Sequence, residues 1–239
     1  IEDAINKDTS NGYVWYSFNR LAADELLILK EPLGLHSLSI EDCLDDNQVP
    51  KIDEFPTNTF VLFNSFNYKN KQLSIDEINF FIGKNFLISV NRIDNEKPFF
   101  SDVLRMINQS IVNIKNGPAF LMHILIDFIV DKKIIGIEAI QDEIDNAEDK
   151  LLDNYADFDA KDVQRLRRDL LSLRKSLFYE REILLKICRK DSPFIHENAT
   201  YNFKDIYDHI AKFYELSETL RDIVKSLMEM HLSMMNNEM

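Results

Sequence analysis

Heptad-spaced apolar residues dominate the second half of this chain, and they restrict it to long helices. Two runs step by three and four residues: Ile137, Ile140, Ile144, Ala147 and Leu151, then Val163, Leu166, Leu170, Leu173, Leu177, Leu184 and Ile187. That spacing keeps side chains on one helix face, and only Glu180 interrupts it. The polar residues 153–162 separate the runs, so the pattern predicts an antiparallel helical hairpin.

A third helix is predicted from about Tyr201 to the end of the sequence. Its apolar stripe comprises Ile206, His209, Phe213, Leu216, Leu220, Ile223, Leu227, Met230 and Met234. Neither Gly nor Pro nor a basic final turn stops it before Met239, so we expect it to pack in a bundle or to continue. The stripe is narrow for so long a helix, which favours self-association.

The first half of the chain mixes strand and helix patterns. Strands are predicted at residues 13–18, 59–68, 75–82 and 86–90, and helices at 21–31, 37–44 and 99–115, with Ser37 or Ser39 capping the second helix. The pattern predicts an α+β fold: an αβα N-terminal domain with a central mixed sheet (1–116), the helical hairpin (117–200) and a stalk helix (201–239). The turn Asn116-Gly117-Pro118 separates the first two parts.

The acidic composition limits the partners. A net charge of −13 disfavours nucleic acid and anionic lipid, which need basic patches, and favours metal cations or basic partners. Solubility alone is the alternative explanation. Cys43 and Cys188 form no metal-type spacing and fit a reducing compartment. No phosphate loop, HExxH motif or nucleophile elbow is present in the sequence, so we expect no enzyme activity.

The best candidate for a membrane span is residues 119–140, and charged residues argue against it. His123, Asp127, Asp131, Lys132 and Lys133 interrupt the stretch. A charge at the centre of a span costs about 2.5–3.5 kcal/mol on insertion scales. We therefore expect a buried helix here and a soluble fragment.

Residues 35–55, LHSLSIEDCLDDNQVPKIDEF, join an acidic pair on a short helix to an extended segment that leads into a strand. This segment resembles the signature of CorA-type magnesium transporters. It matches at Leu35, His36, Leu38, Glu41, Asp42, Leu44, Gln48, Pro50, Lys51 and Phe55. It departs at Ser37 and Val49, where the family usually has Pro and Arg.

The resemblance continues to the end of the chain. Residues 119–148, 167–182 and 201–232 are similar to the two long helices and the stalk of the family. The resemblance implies a funnel-shaped homopentamer on the cytoplasmic face of the inner (plasma) membrane. The family's pore helix, which ends in Gly-Met-Asn, and its second span do not occur in this sequence. We therefore expect a cytoplasmic part cut just before the membrane.

The resemblance also implies regulatory Mg²⁺ sites between neighbouring subunits. Their ligands would be Glu41 and Asp42 of one subunit, Asp205 and His209 on the stalk of the next, and Asp127 of the first long helix. The residues themselves are compatible with this role: Asp205 and His209, four apart, share a helix face, and Asp127 needs a partner inside an apolar stretch.

Each candidate residue has an ordinary explanation as well. Glu41 and Asp42 also suit an early helix turn, where the macrodipole favours acids. Asp127 could pair with a basic residue, His209 could be a core histidine, and Asp205 could be a solvated surface acid.

The function implied is that of a sensor and gate. Bound Mg²⁺ would offset carboxylate repulsion between subunits and favour the closed pore, and loss of Mg²⁺ would loosen the interfaces. One rival is a transporter for Zn²⁺, Co²⁺ or Ni²⁺, for which His36, His123 and His196 supply further nitrogen atoms. Another rival is a stand-alone helical interaction protein.

Overall fold

The computed structural model describes residues 12–19, 23–45, 48–91, 98–109, 114–153, 155–189 and 192–238. The predicted start of the first helix at residue 21 lies outside these ranges. So do residues 110–113 of the helix predicted at 99–115.

Within the described ranges, five strands form one mixed sheet in the order β1-β5-β4-β3-β2. They are β1 (Val14–Asn19), β2 (Lys51–Glu54), β3 (Asn58–Lys69), β4 (Gln72–Gly83) and β5 (Phe86–Asn91). β1 is parallel to β5, and the other neighbours are antiparallel. The predicted mixed sheet is therefore confirmed. Strands β3 and β4 are longer than predicted because Asn70 and Lys71, both with positive φ, form a two-residue hairpin turn.

Helices cover both faces of the sheet. On one face, α1 (Ala23–Leu33) and α2 (Ser37–Leu44) pack on side chains such as Phe60 and Leu62. On the other face, helix α4 (Pro118–Asp153) packs on Val61 and Phe63. Successive residues of β3 thus supply opposite cores, as the period of a strand requires. This arrangement confirms the αβα prediction.

The cap of α2 differs from the prediction of Ser37 or Ser39. The N-cap is His36, whose Nδ1 accepts a hydrogen bond from the backbone N–H of Leu38 at 3.2 Å. Ser39 instead donates its hydroxyl to the carbonyl oxygen of His36 at 2.8 Å. Because the helix already begins at Ser37, the residue before it has the extended backbone that capping needs, and an imidazole nitrogen serves as the acceptor.

Helix α3 (Ser101–Asn108) is shorter than the predicted 99–115. Gln109 closes it by donating its backbone N–H to the carbonyl oxygen of Arg105 at 3.0 Å. The three residues from Asn108 to Ser110 are polar. Asn and Ser side chains compete with helical hydrogen bonds and favour helix ends, whereas the apolar spacing from Ile107 to Ile111 had predicted a continuous helix.

Three long helices make up the rest of the described chain: α4, α5 (Ala160–Cys188) and α6 (Glu197–Glu238). Pro118 begins α4, where its missing N–H costs nothing. A short connection containing the 3₁₀ turn Tyr155–Asp157 reverses the chain between α4 and α5. Helix α6, which starts four residues before the predicted Tyr201, has 42 residues, or about 63 Å at 1.5 Å per residue.

The buried seam of α6 lies one residue away from the predicted stripe at several positions. It consists of Phe203, Ile206, Ile210, Ser217, Leu220, Val224 and Leu227. His209 and Met230, which the prediction placed in the stripe, are partly exposed and exposed respectively. Both sets have heptad spacing and share Ile206, Leu220 and Leu227. They differ at the alternate positions, where the seam has Ile210, Ser217 and Val224 and the predicted stripe had His209, Leu216 and Ile223.

A fully buried ion pair explains the polar interruption in the α5 stripe. The ammonium of Lys133 on α4 lies 2.6 and 2.8 Å from the two carboxylate oxygens of Glu180. Glu180 also accepts the backbone N–H of Asn64 at 2.9 Å. The Lys133 ammonium lies 4.0 Å from the centre of the Phe66 ring. The pair therefore ties α4, α5 and β3 together inside the core.

A second ionic group attaches the β3–β4 hairpin to the helices. Arg165 of α5 donates to the Tyr68 hydroxyl at 2.7 Å, to Glu143 of α4 at 2.5 Å and to Asp169 at 3.1 Å. Lys71 in the hairpin turn pairs with Asp162 at 2.6 Å. The core is continuous from the sheet into the helices. The division of the chain into residues 1–116, 117–200 and 201–239 stays a prediction.

Candidate metal site

The acidic pair lies on α2, outside the sheet. Ile40 and Cys43 on the inner face of the helix are buried against the sheet, which turns Glu41 and Asp42 toward the surface. Glu41 is exposed. The carboxylate of Asp42 lies 2.6 Å from the ammonium of Lys51, at the start of β2. A cation that binds Asp42 would therefore meet a carboxylate already held in place by an ion pair.

The ends of the segment 35–55 meet in space. The imidazole of His36 stacks on the Phe55 ring with centroids 4.6 Å apart and planes 13° from parallel. This contact, together with the Lys51–Asp42 pair, closes α2 and β2 into one unit. The matched residues of this segment thus hold the acidic pair in position.

Asp127 lies on α4 in a half-buried position facing α6. Burial raises its pKa above the ordinary 3.8. The neighbouring negative charges of Asp131 and Asp205 raise the pKa further, while His209 opposes them. Asp127 therefore carries a negative charge that its surroundings disfavour, and a bound cation would relieve this.

Asp205 and His209 are one helical turn apart on α6. Asp205 is exposed, and His209 lies at the edge of the buried seam with its ring 6.5 Å from that of Phe213. Both side chains interact electrostatically with Asp127 across the α4–α6 contact. The structure thus brings Asp127, Asp205 and His209 into one neighbourhood.

The five predicted residues fall into two separate groups. Helix α2 packs on the core formed with Phe60 and Leu62, whereas α4 and α6 belong to the core on the opposite face of the sheet. Among the residues that the structure describes, no three His, Cys, Asp or Glu side chains are grouped so that they could hold a metal ion. The arrangement of the five residues as one site stays a prediction.

His123 is a neighbour of this group that was not included in the predicted ligand set. It lies one turn before Asp127 on α4, between the rings of Phe120 and Phe203, with centroids 5.9 and 5.6 Å away. Burial lowers the pKa of His123, and the charge of Asp205 opposes this effect. The signal in the sequence was its spacing: His123 and Asp127 are four apart, as are Asp205 and His209.

Comparison with known proteins identifies the family. The model of the family described as CorA-like Mg²⁺ transporter protein matches residues 10–239. The chain belongs to the CorA-like Mg²⁺ transporter family. This agrees with the prediction that it is not an enzyme, since the family consists of transporters.

Individual relatives are similar over most of this chain. The cobalt/magnesium transport protein CorA of Thermotoga maritima is 30% identical over 212 residues, which are 87% of this chain and 60% of that protein. The corresponding protein of Methanocaldococcus jannaschii is 22% identical over 235 residues, covering 95% of this chain and 71% of that protein. This chain therefore spans little more than half of the Thermotoga relative.

Solved structures share the fold. The soluble domain of CorA from M. jannaschii superposes with a TM-score of 0.78 at 22% identity, covering 92% of this chain and 88% of that one. The ZntB cytoplasmic domain from Vibrio parahaemolyticus gives 0.72 at 15% identity, covering 97% and 93%. In the described part of the chain, no helix combines the length and apolar character needed to cross a membrane.

Proposed function

We propose that this chain is the Mg²⁺-sensing domain that gates a divalent-cation transporter, on the cytoplasmic face of the membrane. The observation that carries the proposal is the separation of the two acidic groups on opposite faces of the sheet. A site made from Glu41 and Asp42 together with Asp127, Asp205 and His209 needs a second copy of the chain. Metal binding at such a site therefore depends directly on the contact between subunits.

The donor set suits Mg²⁺. This ion prefers oxygen ligands, keeps several of its waters and is bound through one or two carboxylates. Asp205 is exposed and Asp127 lies beside it in a partly desolvated position. A divalent ion at this position would offset the repulsion among Asp127, Asp131 and Asp205, and would connect them to the acidic pair of the neighbouring subunit.

Helix α6 is the element through which the signal would travel. It carries Asp205 and His209 near its start and continues for about eight further turns to Glu238, at 3.6 residues per turn. Its buried seam is packed along α4 and α5. When Mg²⁺ is lost, the like charges separate the subunits and α6 shifts, which opens the pore of a homopentamer. The coupling needs only a higher Mg²⁺ affinity in the closed state.

A transition-metal transporter is the second candidate. His209 interacts electrostatically with Asp127, and His123 with Asp205. Imidazole nitrogens favour Zn²⁺ or Co²⁺ over Mg²⁺. The Thermotoga relative is named for cobalt as well as magnesium. The family match favours both transporters over the stand-alone interaction protein.

The test compares the response to Mg²⁺ of the wild-type chain and of Asp205→Ala. In the wild type, Mg²⁺ should raise the melting temperature and increase the sedimentation coefficient, because an ion that binds only the folded, associated state stabilises it. Asp205→Ala should lose most of both responses. Asp208→Ala is the matched control, since Asp208 is an exposed acid on the same helix.

An equal response of Asp205→Ala and Asp208→Ala would rule out the proposed site. The same titration with Zn²⁺ and Co²⁺ separates the two transporter classes. A larger stabilisation by Zn²⁺ that His209→Ala abolishes would favour the transition-metal transporter.

A further inference from the structure

An open groove runs along the surface between α5 and α6. Its volume is about 400 Å³, and its walls come from these two helices. Three apolar side chains line it: Leu171, Met228 and Leu232. Leu171 is 44% exposed and Leu232 is 55% exposed. Large apolar side chains that are exposed together and bordered by polar residues are typical of a surface that a partner covers.

The groove is basic, although the chain as a whole carries a net charge of −13. Arg167, Arg221 and Lys225 line it, and Arg167 is exposed. Arg221 and Lys225 form ion pairs along α6, with Glu218 at 3.1 Å and with Glu229, which also lines the groove, at 3.7 Å. Pairs of this kind at the surface contribute little stability, so a partner's carboxylates can replace them. The groove therefore favours an acidic partner that carries an apolar side chain.

The last turns of α4 have the complementary character. Asp145, Asp149 and Asp153 are exposed, and Leu152 beside them is 57% exposed. Positions 145, 149 and 152 are four and three residues apart, so their side chains share one face of the helix. None of these four residues lines the groove of its own chain. An apolar side chain bordered by acids thus matches an apolar groove bordered by bases.

The two surfaces lie at the same level of the helical part of the molecule. The short connection between α4 and α5 reverses the chain, so Asp153 at the end of α4 lies level with the start of α5, near Arg167. Helix α6 reaches the same level, because the Tyr155 hydroxyl lies within hydrogen-bonding distance, 3.1 Å, of Nδ1 of His231, the residue before Leu232. Rotation about an axis along the helices can therefore bring the end of α4 in one copy to the groove of the next.

The same two copies can form this contact and the metal-linked contact together. Asp127 and Asp145 are about five turns apart on α4, at 3.6 residues per turn, so they point in the same direction. Helix α5 lies beside β2, where Lys186 is 3.6 Å from Glu54, and β2 is held to the helix that carries Asp42. A copy that presents Asp42 to Asp127 of its neighbour therefore also turns α5 toward α4 of that neighbour.

We propose that residues 145–153 of α4 dock in the α5–α6 groove of a second copy of this chain. Leu152 lies among the apolar side chains of the groove, and the three aspartates face its basic side chains. The two surfaces differ and each copy carries both, so the contact repeats from copy to copy around a ring. The order of the copies rests on the proposed function, whereas the contact itself needs no metal.

The experiment is sedimentation of the whole chain in EDTA over a range of protein concentrations. The groove variant combines Arg167→Glu with Lys225→Glu, and the α4 variant combines Asp145→Lys with Asp149→Lys. Each should raise the dissociation constant for self-association at least about tenfold, because like charges then face each other across the contact. All four substitutions in one chain should restore association, since the charges are again opposite.

The matched control combines Lys161→Glu with Arg168→Glu. Both residues are exposed bases of α5 that do not line the groove, so this variant should associate like the wild type. The fluorescence of Trp15 in β1 checks that each variant is folded. Sodium chloride should weaken the association of the wild type, because it screens the charges of both surfaces.

Three results would overturn the proposal. The first is a wild-type chain that stays monomeric at millimolar concentration. The second is a groove variant that associates as tightly as the wild type. The third is a chain with all four substitutions that associates no better than either paired variant, which would mean that the groove takes a partner other than α4.

The Mg²⁺ response separates this contact from the metal site. Asp205→Ala should associate like the wild type in EDTA and lose only the response to Mg²⁺. If Asp205→Ala loses that response while the groove variant associates normally in EDTA, the α4–groove contact is wrong and the metal site stands. If the groove variant associates weakly while Asp205→Ala keeps the full response, the metal site is wrong and the contact stands.

Discussion

Removing one partner of the buried Lys133–Glu180 pair should strongly destabilise the fold. Both side chains are fully buried, and Glu180 also accepts the Asn64 N–H. Lys133→Met leaves the carboxylate buried without its cation, and Glu180→Gln leaves the ammonium without its anion. Breaking a buried pair in this way costs about 3–5 kcal/mol, because the remaining charge keeps its desolvation penalty.

The double variant should be much less affected than the sum of the single variants. Lys133→Met with Glu180→Gln removes both charges, and the Gln side-chain oxygen can still accept the Asn64 N–H. Replacing both partners of a buried pair is often close to neutral, and the remaining cost is about 1–3 kcal/mol for imperfectly paired polar groups. The double-mutant cycle should therefore give a coupling energy of at least about 3 kcal/mol.

The destabilisation caused by Lys133→Met should be smaller at acidic pH than at neutral pH. Burial already raises the pKa of Glu180 above its ordinary 4.5, opposed by Lys133. Without Lys133 the pKa rises further, so the folded state binds the proton more tightly than the unfolded state does. Stability then falls as pH increases above 4.5, by up to about 1.4 kcal/mol per pH unit, until the raised pKa is passed. The loss should be smaller at mildly acidic pH.

Urea unfolding followed by the fluorescence of the single tryptophan, Trp15, measures these free energies. Trp15 lies in β1, where its indole N–H donates to the Ser89 hydroxyl at 2.9 Å, so its emission reports on the sheet. Lys150→Met is the control, since Lys150 is exposed on the same helix as Lys133. Single variants within about 1 kcal/mol of wild type, or an additive cycle, would refute the reasoning.

Three further changes test other parts of the structure by urea unfolding. Asp127→Asn should be more stable than wild type at neutral pH without metal, and equally stable below pH 3.8, because the raised pKa of Asp127 lowers the stability of the wild type as pH increases. A constant difference in stability across this pH range would contradict the raised pKa. His36→Ala should lower the free energy of unfolding by about 1–2 kcal/mol, because it removes the cap of α2 and the stack on Phe55. His36→Asn should retain the cap and lose less stability. Equal losses of stability in the two variants would exclude a capping role for His36. Arg165→Met should lower the free energy of unfolding by about 1–2 kcal/mol because its partly buried acceptors, Tyr68 and Glu143, lose a shared donor. The exposed Arg168→Met should have little effect. Similar effects of the two substitutions would show that the Arg165 network contributes nothing.

The fold could be predicted largely because its signals are local and periodic. Alternating side chains predicted β3 and β4, and the three- and four-residue spacing of apolar residues predicted α4, α5 and α6. The errors occurred where local rules compete. His36 replaced a serine as the cap, and α3 ended at Asn108, where a short polar stretch begins.

The candidate site could be predicted less completely. Glu41 and Asp42, and Asp205 and His209, were recognised by motif, but no motif gives the distance between α2 and α6. In the sequence, Lys133 was interpreted as a charge that argues against a membrane span, and Glu180 as a polar interruption of the apolar stripe of α5. Each is explained only by the other, 47 residues away in the chain.

The sequence by itself determined most of the helices and strands, the family, and which carboxylates are candidates for the metal. Those properties depend on neighbouring residues and on ordered motifs. Only the tertiary structure decided that Asp127, Asp205 and His209 share a surface while Glu41 and Asp42 lie beyond the sheet. It also decided that the Lys133–Glu180 ion pair is buried in the core. These properties depend on distances between residues far apart in the chain, which are set by the packing of apolar faces rather than by local propensity.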